Sequence, residues 1–427
     1  MTVRHFPATN YALAHNSIPV IHEVEAINRS SSERTGRVAV VATLTSVDGR
    51  ELAHSATIEI PAVEPRSGYY SPDRALVRPH LAEIVGRTES YPADLEFRLE
   101  GDPGVGIDTI SADDLTEEAD LTGREVDLAE VTVVRPPFRI LAENEWFNAP
   151  AFFESLTAFV QPNTSEVRRI LAGASRLLQE RTGDSSLQGY QAGAKRAATI
   201  ALAIYEALKA EGIRYINPPA SFENTGQRIR STSEVLSTRF GTCVDLAVTY
   251  SAVCEAAGLH PVVAMVEGHA LTGIMLAEQT LTGPVLLEAG AIRNLVTSDV
   301  LLPLDAVFYD SVSFAEASKR GREILSSTSV RGLIDVAASR RDGMRPLPTD
   351  STGETDIDAD SMGSQKRSTS DDWVLPAVGG PGRTTRSTAR YARTIPRLAC
   401  GIGSSRCSTS PCGTGCSTSS PARMYWS

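Results

Sequence analysis

The stretch from Ile229 to Leu276 constrains this chain most: it puts a cysteine at the mouth of a helix and, 26 residues later, a histidine on an apolar strand. Ser231 followed by Glu234 reads as a capping box that opens a short helix. That helix runs into Arg239 and Phe240, and Gly241 breaks it. Thr242 is then an N-cap, which places Cys243 in the first turn of a second helix. Leu246, Ala247, Tyr250, Val253, Cys254 and Ala257 recur at helical spacing along one face, and Gly258 supplies the stop. His260 and Pro261 turn the chain into VVAMVEGHALTGIML, whose β-branched and aliphatic content predicts a strand with Gly268 as a bend.

A cysteine in that place has specific physics. Unpaired amides at a helix N-terminus favour an anion, so a thiol there ionises more easily and becomes a better nucleophile. A histidine within reach completes an ion pair, and a carboxylate or amide orients the imidazole. The backbone N–H of Cys243 is one oxyanion donor, and Gln191 and Gln227 are candidates for a second, although a surface or loop role fits each taken singly. A small buried cysteine or a core histidine is the simpler reading of either residue alone. Together, with Gly241, Thr242 and Gly268 fixing the local geometry, Cys243 and His269 favour catalysis.

The segment GTCVDLAVTYSAVCEAAGLHPVVAMVEGHA resembles the core of transglutaminase-like proteins. It resembles still more closely the N-terminal region of large bacterial helicase-related proteins of superfamily one. FVQPNTSEVRRIL, the run Gly189 to Gln191, INPPASFENTGQRIRSTSEVL and SFAEASKRGREIL from Ser313 fit the same group, so the resemblance spans about residues 140 to 340. It implies a papain-like Cys–His–Asp/Glu triad on helix–strand–strand, acyl transfer on a protein or peptide substrate, and a helicase domain in the full-length relative. Because such superfamilies contain members without chemistry, a docking module for that helicase is the competing expectation. The chain departs from the family at the third position, where a pattern resembling DPT is usual. Here the next strand-like run is PVLLEAGAI, with Glu288 19 residues past His269. Glu288 is the orienting carboxylate of this reading, weighed equally against an edge strand that turns Glu288 to water. Glu267, two residues before His269, is held in reserve as orienter. Asp245 reads as a complement to the helix dipole.

With 427 residues, the chain holds two domains and a tail. The fold class expected is α+β, with a β-sandwich over residues 1–140, a transglutaminase-like domain over 141–340 and a tail over 341–427. In the first part, VAVVATLTSVDGRELAHSATIEI reads as a hairpin about Asp48–Gly49, and IPVIHEVEAI, ADLEFRLEG and EVTVVRPPFRIL are further strands. Immunoglobulin-like architecture is the natural reading, without a Cys…Trp…Cys signature behind it. His5, His15, His22, His54 and His80 lack ligand spacing and read as surface or core histidines. Asn163 and Glu166 open a helix ending at Gly183, and Ala197 to Leu208 line a second that ends at Gly212. The net charge of −11 argues against a broad nucleic-acid-binding face. No stretch reaches the roughly 18 apolar residues of a membrane span and no leader pattern opens the chain, so a cytoplasmic location is the default.

Past about Arg340 the sequence turns polar and poor in aliphatics, as a disordered linker does. GGPGRTTRST lacks the ending of a phosphate loop. Cys400, Cys407, Cys412 and Cys416 have no CxxC pair and no following His, so zinc is rejected on spacing; neither metal nor cofactor is expected. With synonymous codons chosen freely, Ser405 to Ser427 can be read in the neighbouring frame as SLLDLTLRNRLLNFKPGADVLE, which resembles the segment after this domain in the helicase-related proteins. The expectation is an amino-terminal fragment with a frameshifted tail.

Overall fold

The computed structural model describes residues 1–71, 77–102, 104, 124–127 (backbone only), 133–217, 226–306, 312–349 and 373–376. The frameshift reading, the four tail cysteines and most of the linker lie outside the described residues, as do residues 218–225 of INPPASFENTGQRIRSTSEVL. The described chain is a mixed α and β structure with several sheets.

In the N-terminal part, β1 (Thr2–His5), β2 (Ala8–Thr9), α1 (Tyr11–His15), β3 (Ile21–Asn28), β4 (Val38–Ser46), β5 (Glu51–Ile60), β6 (Ser67–Tyr70), α2 (Leu81–Ile84), β7 (Tyr91–Glu100), β8 (Arg124–Asp127), β9 (Val133–Val134) and β10 (Pro137–Ile140) follow in order. One sheet has the order β6-β3-β1-β8 and the other β2-β10-β7-β4-β5, with β9 paired to β7. Val3, Ile21 and Val24 of the first sheet share one core with Val40, Leu44, Leu95 and Phe97 of the second, because the alternation along β4 leaves an apolar face that the other sheet covers. The hairpin at Asp48–Gly49 is present, with Gly49 at φ 83° and its N–H donating to the Ser46 carbonyl at 2.8 Å. A left-handed residue there is what a tight hairpin demands of glycine.

The second part continues with β11 (Glu145–Trp146), a 3₁₀ segment over Pro150–Phe159, α3 (Ser165–Thr182), α4 (Ala194–Lys209), β12 (Arg214–Tyr215), β13 (Gln227–Arg228), α5 (Thr232–Thr238), β14 (Phe240–Gly241) and α6 (Cys243–Ala256). It ends with β15 (Pro261–Val266), β16 (His269–Met275), β17 (Val285–Leu286), α7 (Ala289–Thr297), β18 (Leu301–Leu304), α8 (Phe314–Ser327), β19 (Val330–Asp335) and α9 (Val336–Arg341). Its main sheet is antiparallel, in the order β17-β19-β15-β16-β18. The apolar run read as one strand with a bend is a hairpin, β15 and β16 around the two-residue turn Glu267–Gly268, with Gly268 at φ 67°.

Helix α6 is the centre of this part. The sequence shows one apolar face, yet every residue from Cys243 to Cys254 is buried, because α3, α4 and α5 cover what the sheet leaves open. A helix that is apolar on all sides belongs inside a core, and α4 behaves likewise from Ala197 to Leu208. The cap of α3 is Thr164, whose Oγ1 accepts the Val167 N–H at 3.1 Å; Asn163, the cap expected, lies one residue too early. A small cluster of Phe6, Leu13, Ala149 and Phe152 joins the two parts, with the rings of Phe6 and Phe152 4.8 Å apart.

Candidate active site

The start of α6 is fixed by reciprocal bonds. Thr242 Oγ1 accepts the Asp245 N–H at 3.4 Å, and Asp245 Oδ2 accepts the Thr242 N–H at 2.9 Å, a complete capping box. Asp245 is fully buried, which strands a carboxylate unless its oxygens are filled. They are: Oδ1 takes the Arg230 N–H at 2.8 Å and Oδ2 the Arg230 guanidinium at 2.9 Å. Asp245 therefore does more than complement the dipole, since it ties the strand-like segment at Arg230 to the helix mouth. Gly241 permits the approach, as a Cβ there would lie 3.1 Å from the Asp245 Cβ. These contacts hold Cys243 as the first residue of the helix, where backbone N–H groups have no intrahelical acceptor.

His269 is the first residue after the β15–β16 turn, and its Nε2 lies 3.1 Å from Asp305 Oδ1. With Nε2 engaged, Nδ1 is the nitrogen left for the thiol, and the Cys243 side chain lies close enough to favour the charged imidazole. Burial opposes charge on the imidazole, but the hydrogen bonds and negative charges of Asp305 and Cys243 outweigh it and raise the pKa to about 9. The ring is thus held as the imidazolium, with the Asp305 carboxylate as its ion-pair partner. Cys243 itself is 7% exposed, and the His269 side chain 22%.

Asp305 reaches the histidine by a route no local pattern reveals. It follows β18, an edge strand that pairs with β16 from Thr272↔Leu304 to Met275↔Leu301. Two glycines let β18 approach closely. A Cβ on Gly273 of β16 would sit 2.5 Å from the Leu302 carbonyl oxygen, and one on Gly321 of α8 would sit 3.0 Å from the Leu304 nitrogen. The Asp305 N–H then donates to the Ala317 carbonyl at 3.0 Å.

Glu288, assigned above as orienter, is not beside His269. It is exposed and occupies the N-cap of α7 without a side-chain bond to that helix. The strand before it, β17, stands three places from β16 across the sheet, roughly 14 Å at the usual strand spacing. Glu267 is exposed in the hairpin turn. Gln191 is exposed on a 3₁₀ turn, and Gln227 is buried with its backbone paired to Trp146; among the described residues neither is hydrogen-bonded to Cys243. Cys254 is fully buried on α6, where burial drives its thiol well above the ordinary range despite a hydrogen bond with Tyr250. The sequence signal for Asp305 was present but faint: an acidic residue directly ending the apolar run Leu301 to Leu304.

No protein-family model matches the chain, and no curated protein matches it. Among solved structures it is similar to a crystal structure of a putative protease from Parabacteroides distasonis, at 10% identity over 64% of this chain and 60% of that one. The TM-score of 0.22 is too low for that likeness to bear on fold or chemistry. Among the described residues no helix is long and apolar enough to cross a membrane.

Proposed function

We propose that the chain is a transglutaminase-like cysteine acyl-transfer enzyme, acting on an amide of a protein or peptide through a thioester. The observation that carries this reading is the contiguous chain Cys243–His269–Asp305 at a capped helix start. Cys243 is the nucleophile, His269 the base and acid, and Asp305 the group that positions the ring. The thiolate adds to the amide carbonyl, forming the C–S bond while the carbonyl π electrons move to oxygen. The Cys243 N–H at the helix mouth donates to that oxyanion. The His269 imidazolium gives its proton to the departing nitrogen, the C–N bond breaks, and an amine or ammonia leaves. Water or an acceptor amine then adds to the thioester, His269 takes its proton, and the thiol is released.

The arrangement that fits this reading is an immunoglobulin-like sandwich over residues 1–140 beside a transglutaminase-like domain over 141–340, in the cytoplasm, with a helicase as the partner of the full-length protein. The second reading, a docking module without chemistry, draws on one observation, the 7% exposure of Cys243. A peptide-linked acyl electrophile separates the two. Labelling at Cys243, lost in Cys243→Ala, together with hydroxamate formed when hydroxylamine intercepts a glutamine-containing substrate, supports the enzyme. Absence of label in a folded wild-type protein supports the docking module.

A further inference from the structure

Far from Cys243 in the sequence, the N-terminal sheet gathers three residues that spacing alone scatters. Glu51 and His54 lie on β5 three residues apart, a separation that puts side chains on opposite faces of a regular strand. Here the register between β4 and β5 shifts twice, between the pairs Ala42↔Ala56 and Leu44↔Ala53 and again before Thr45↔Glu51. Each shift adds one residue to β5, so Leu52 and Ala53 are both buried while Glu51 and His54 both face out. His80 is carried to the same place by the bridge Ala53↔Pro79 and by its N–H donating to the Leu52 carbonyl at 2.8 Å.

The three side chains converge. His54 Nδ1 is 3.3 Å and His80 Nε2 3.9 Å from the same oxygen, Glu51 Oε1, and one ligand atom from each residue lies within 4.8 Å of the others. Donors about 2.0–2.1 Å from a tetrahedral zinc ion stand roughly 3.3–3.5 Å apart, so small side-chain rotations bring this set onto one ion. The guanidinium of the preceding residue, Arg50, is engaged by Asp48 and Glu83, and among the described residues Glu51 forms ion pairs only with the two histidines. The carboxylate is therefore available to a cation.

We propose that Glu51, His54 and His80 form a binding site for a borderline divalent cation of the zinc class, with two imidazoles and one carboxylate as protein ligands and the remaining coordination open to water. Imidazole nitrogen with carboxylate oxygen selects zinc-like ions over calcium or magnesium, which take oxygen sets. The strand β5 ends its sheet, and an ion here would fasten that edge to the Pro79–His80 segment leading into α2. The site stands independently of the chemistry proposed for Cys243.

The test is a titration with Co²⁺, displaced by Zn²⁺, of the full chain carrying Cys243→Ala with its accessible thiols blocked by iodoacetamide. These steps remove the thiolates that would otherwise compete. One equivalent should bind with nitrogen and oxygen ligand-field bands and no sulfur charge-transfer band. His54→Ala and His80→Ala should each weaken binding by at least roughly the tenfold to hundredfold seen for loss of a mere supporting partner. His15→Ala should bind as the parent does. His54 is exposed and His15 and His80 are half-buried, and matched melting temperatures in chelator verify that each variant folds. No saturable binding to the parent, or undiminished binding to both His54→Ala and His80→Ala, overturns the site.

Discussion

His269 and Asp305, 36 residues apart, meet with Nε2 3.1 Å from Oδ1 at the end of two neighbouring strands. The contact depends on β18 being packed flat between β16 and α8, and it leaves one imidazole nitrogen for the sulfur of Cys243. A carboxylate in this position fixes the ring's orientation and stabilises its charged form without itself reacting.

Replacing Asp305 by Asn should lower the acylation rate by roughly a hundredfold to ten-thousandfold, as removal of an orienting carboxylate does. Glu288→Gln, on an exposed helix cap, should react like wild type. Single-turnover labelling of the two variants settles the matter, and an inactive Glu288→Gln beside an active Asp305→Asn would reverse the assignment.

The two described thiols should differ sharply. Cys243 begins a helix beside an imidazolium, whereas Cys254 is fully buried with its pKa raised by desolvation. Iodoacetamide should modify Cys243 in the native protein and leave Cys254 untouched until unfolding. Peptide mapping after timed alkylation reads both sites, and equal rates would remove Cys243 as the nucleophile.

The raised pKa of His269 ties stability to pH. Its protonated form is favoured in the folded chain, so the stabilisation is fully present below the ordinary histidine value of about 6.5 and is lost as pH rises through about 9. The shift corresponds to about 3 kcal/mol at most. In denaturant melts, the stability advantage of wild type over His269→Asn should shrink between pH 6.5 and 9.5. An advantage that grows over that interval would contradict the ion pair.

Gly273→Ala should damage both stability and activity. The added Cβ would meet the Leu302 carbonyl at 2.5 Å, backbone that moves only if β18 withdraws from β16 and takes Asp305 with it. A loss of roughly 1–3 kcal/mol is expected from overpacking of this kind, together with an acylation defect approaching that of Asp305→Asn. Full activity in the folded variant would show that Asp305 is held by other contacts.

Removing the guanidinium at Arg230 should cost about 3–5 kcal/mol, because Arg230→Met leaves the Asp245 carboxylate buried with one charge partner gone. Thermal melts measure it. A neutral result would mean that the three backbone and cap contacts of Asp245 suffice without the charge.

What the sequence determined by itself is the local geometry around Cys243. Thr242, Cys243 and Asp245 stand in the spacing of a capping box, and bonds among residues three apart need no distant partner to form. Gly268 likewise marks its own turn, since a left-handed φ is set by the residue that adopts it. The tertiary structure decided which carboxylate faces His269. Glu288 and Asp305 both follow short apolar strands, and nothing within either run says which edge of the sheet it joins. That choice came from long-range packing: β17 pairs with β19 at one end, and β18 slides between Gly273 and Gly321 at the other. The same holds for Glu51, His54 and His80, where two register shifts and a bridge from Pro79 gather residues that no linear spacing groups. Hydrogen bonds between strands are indifferent to side-chain identity, so strand order and register are settled by how the faces pack.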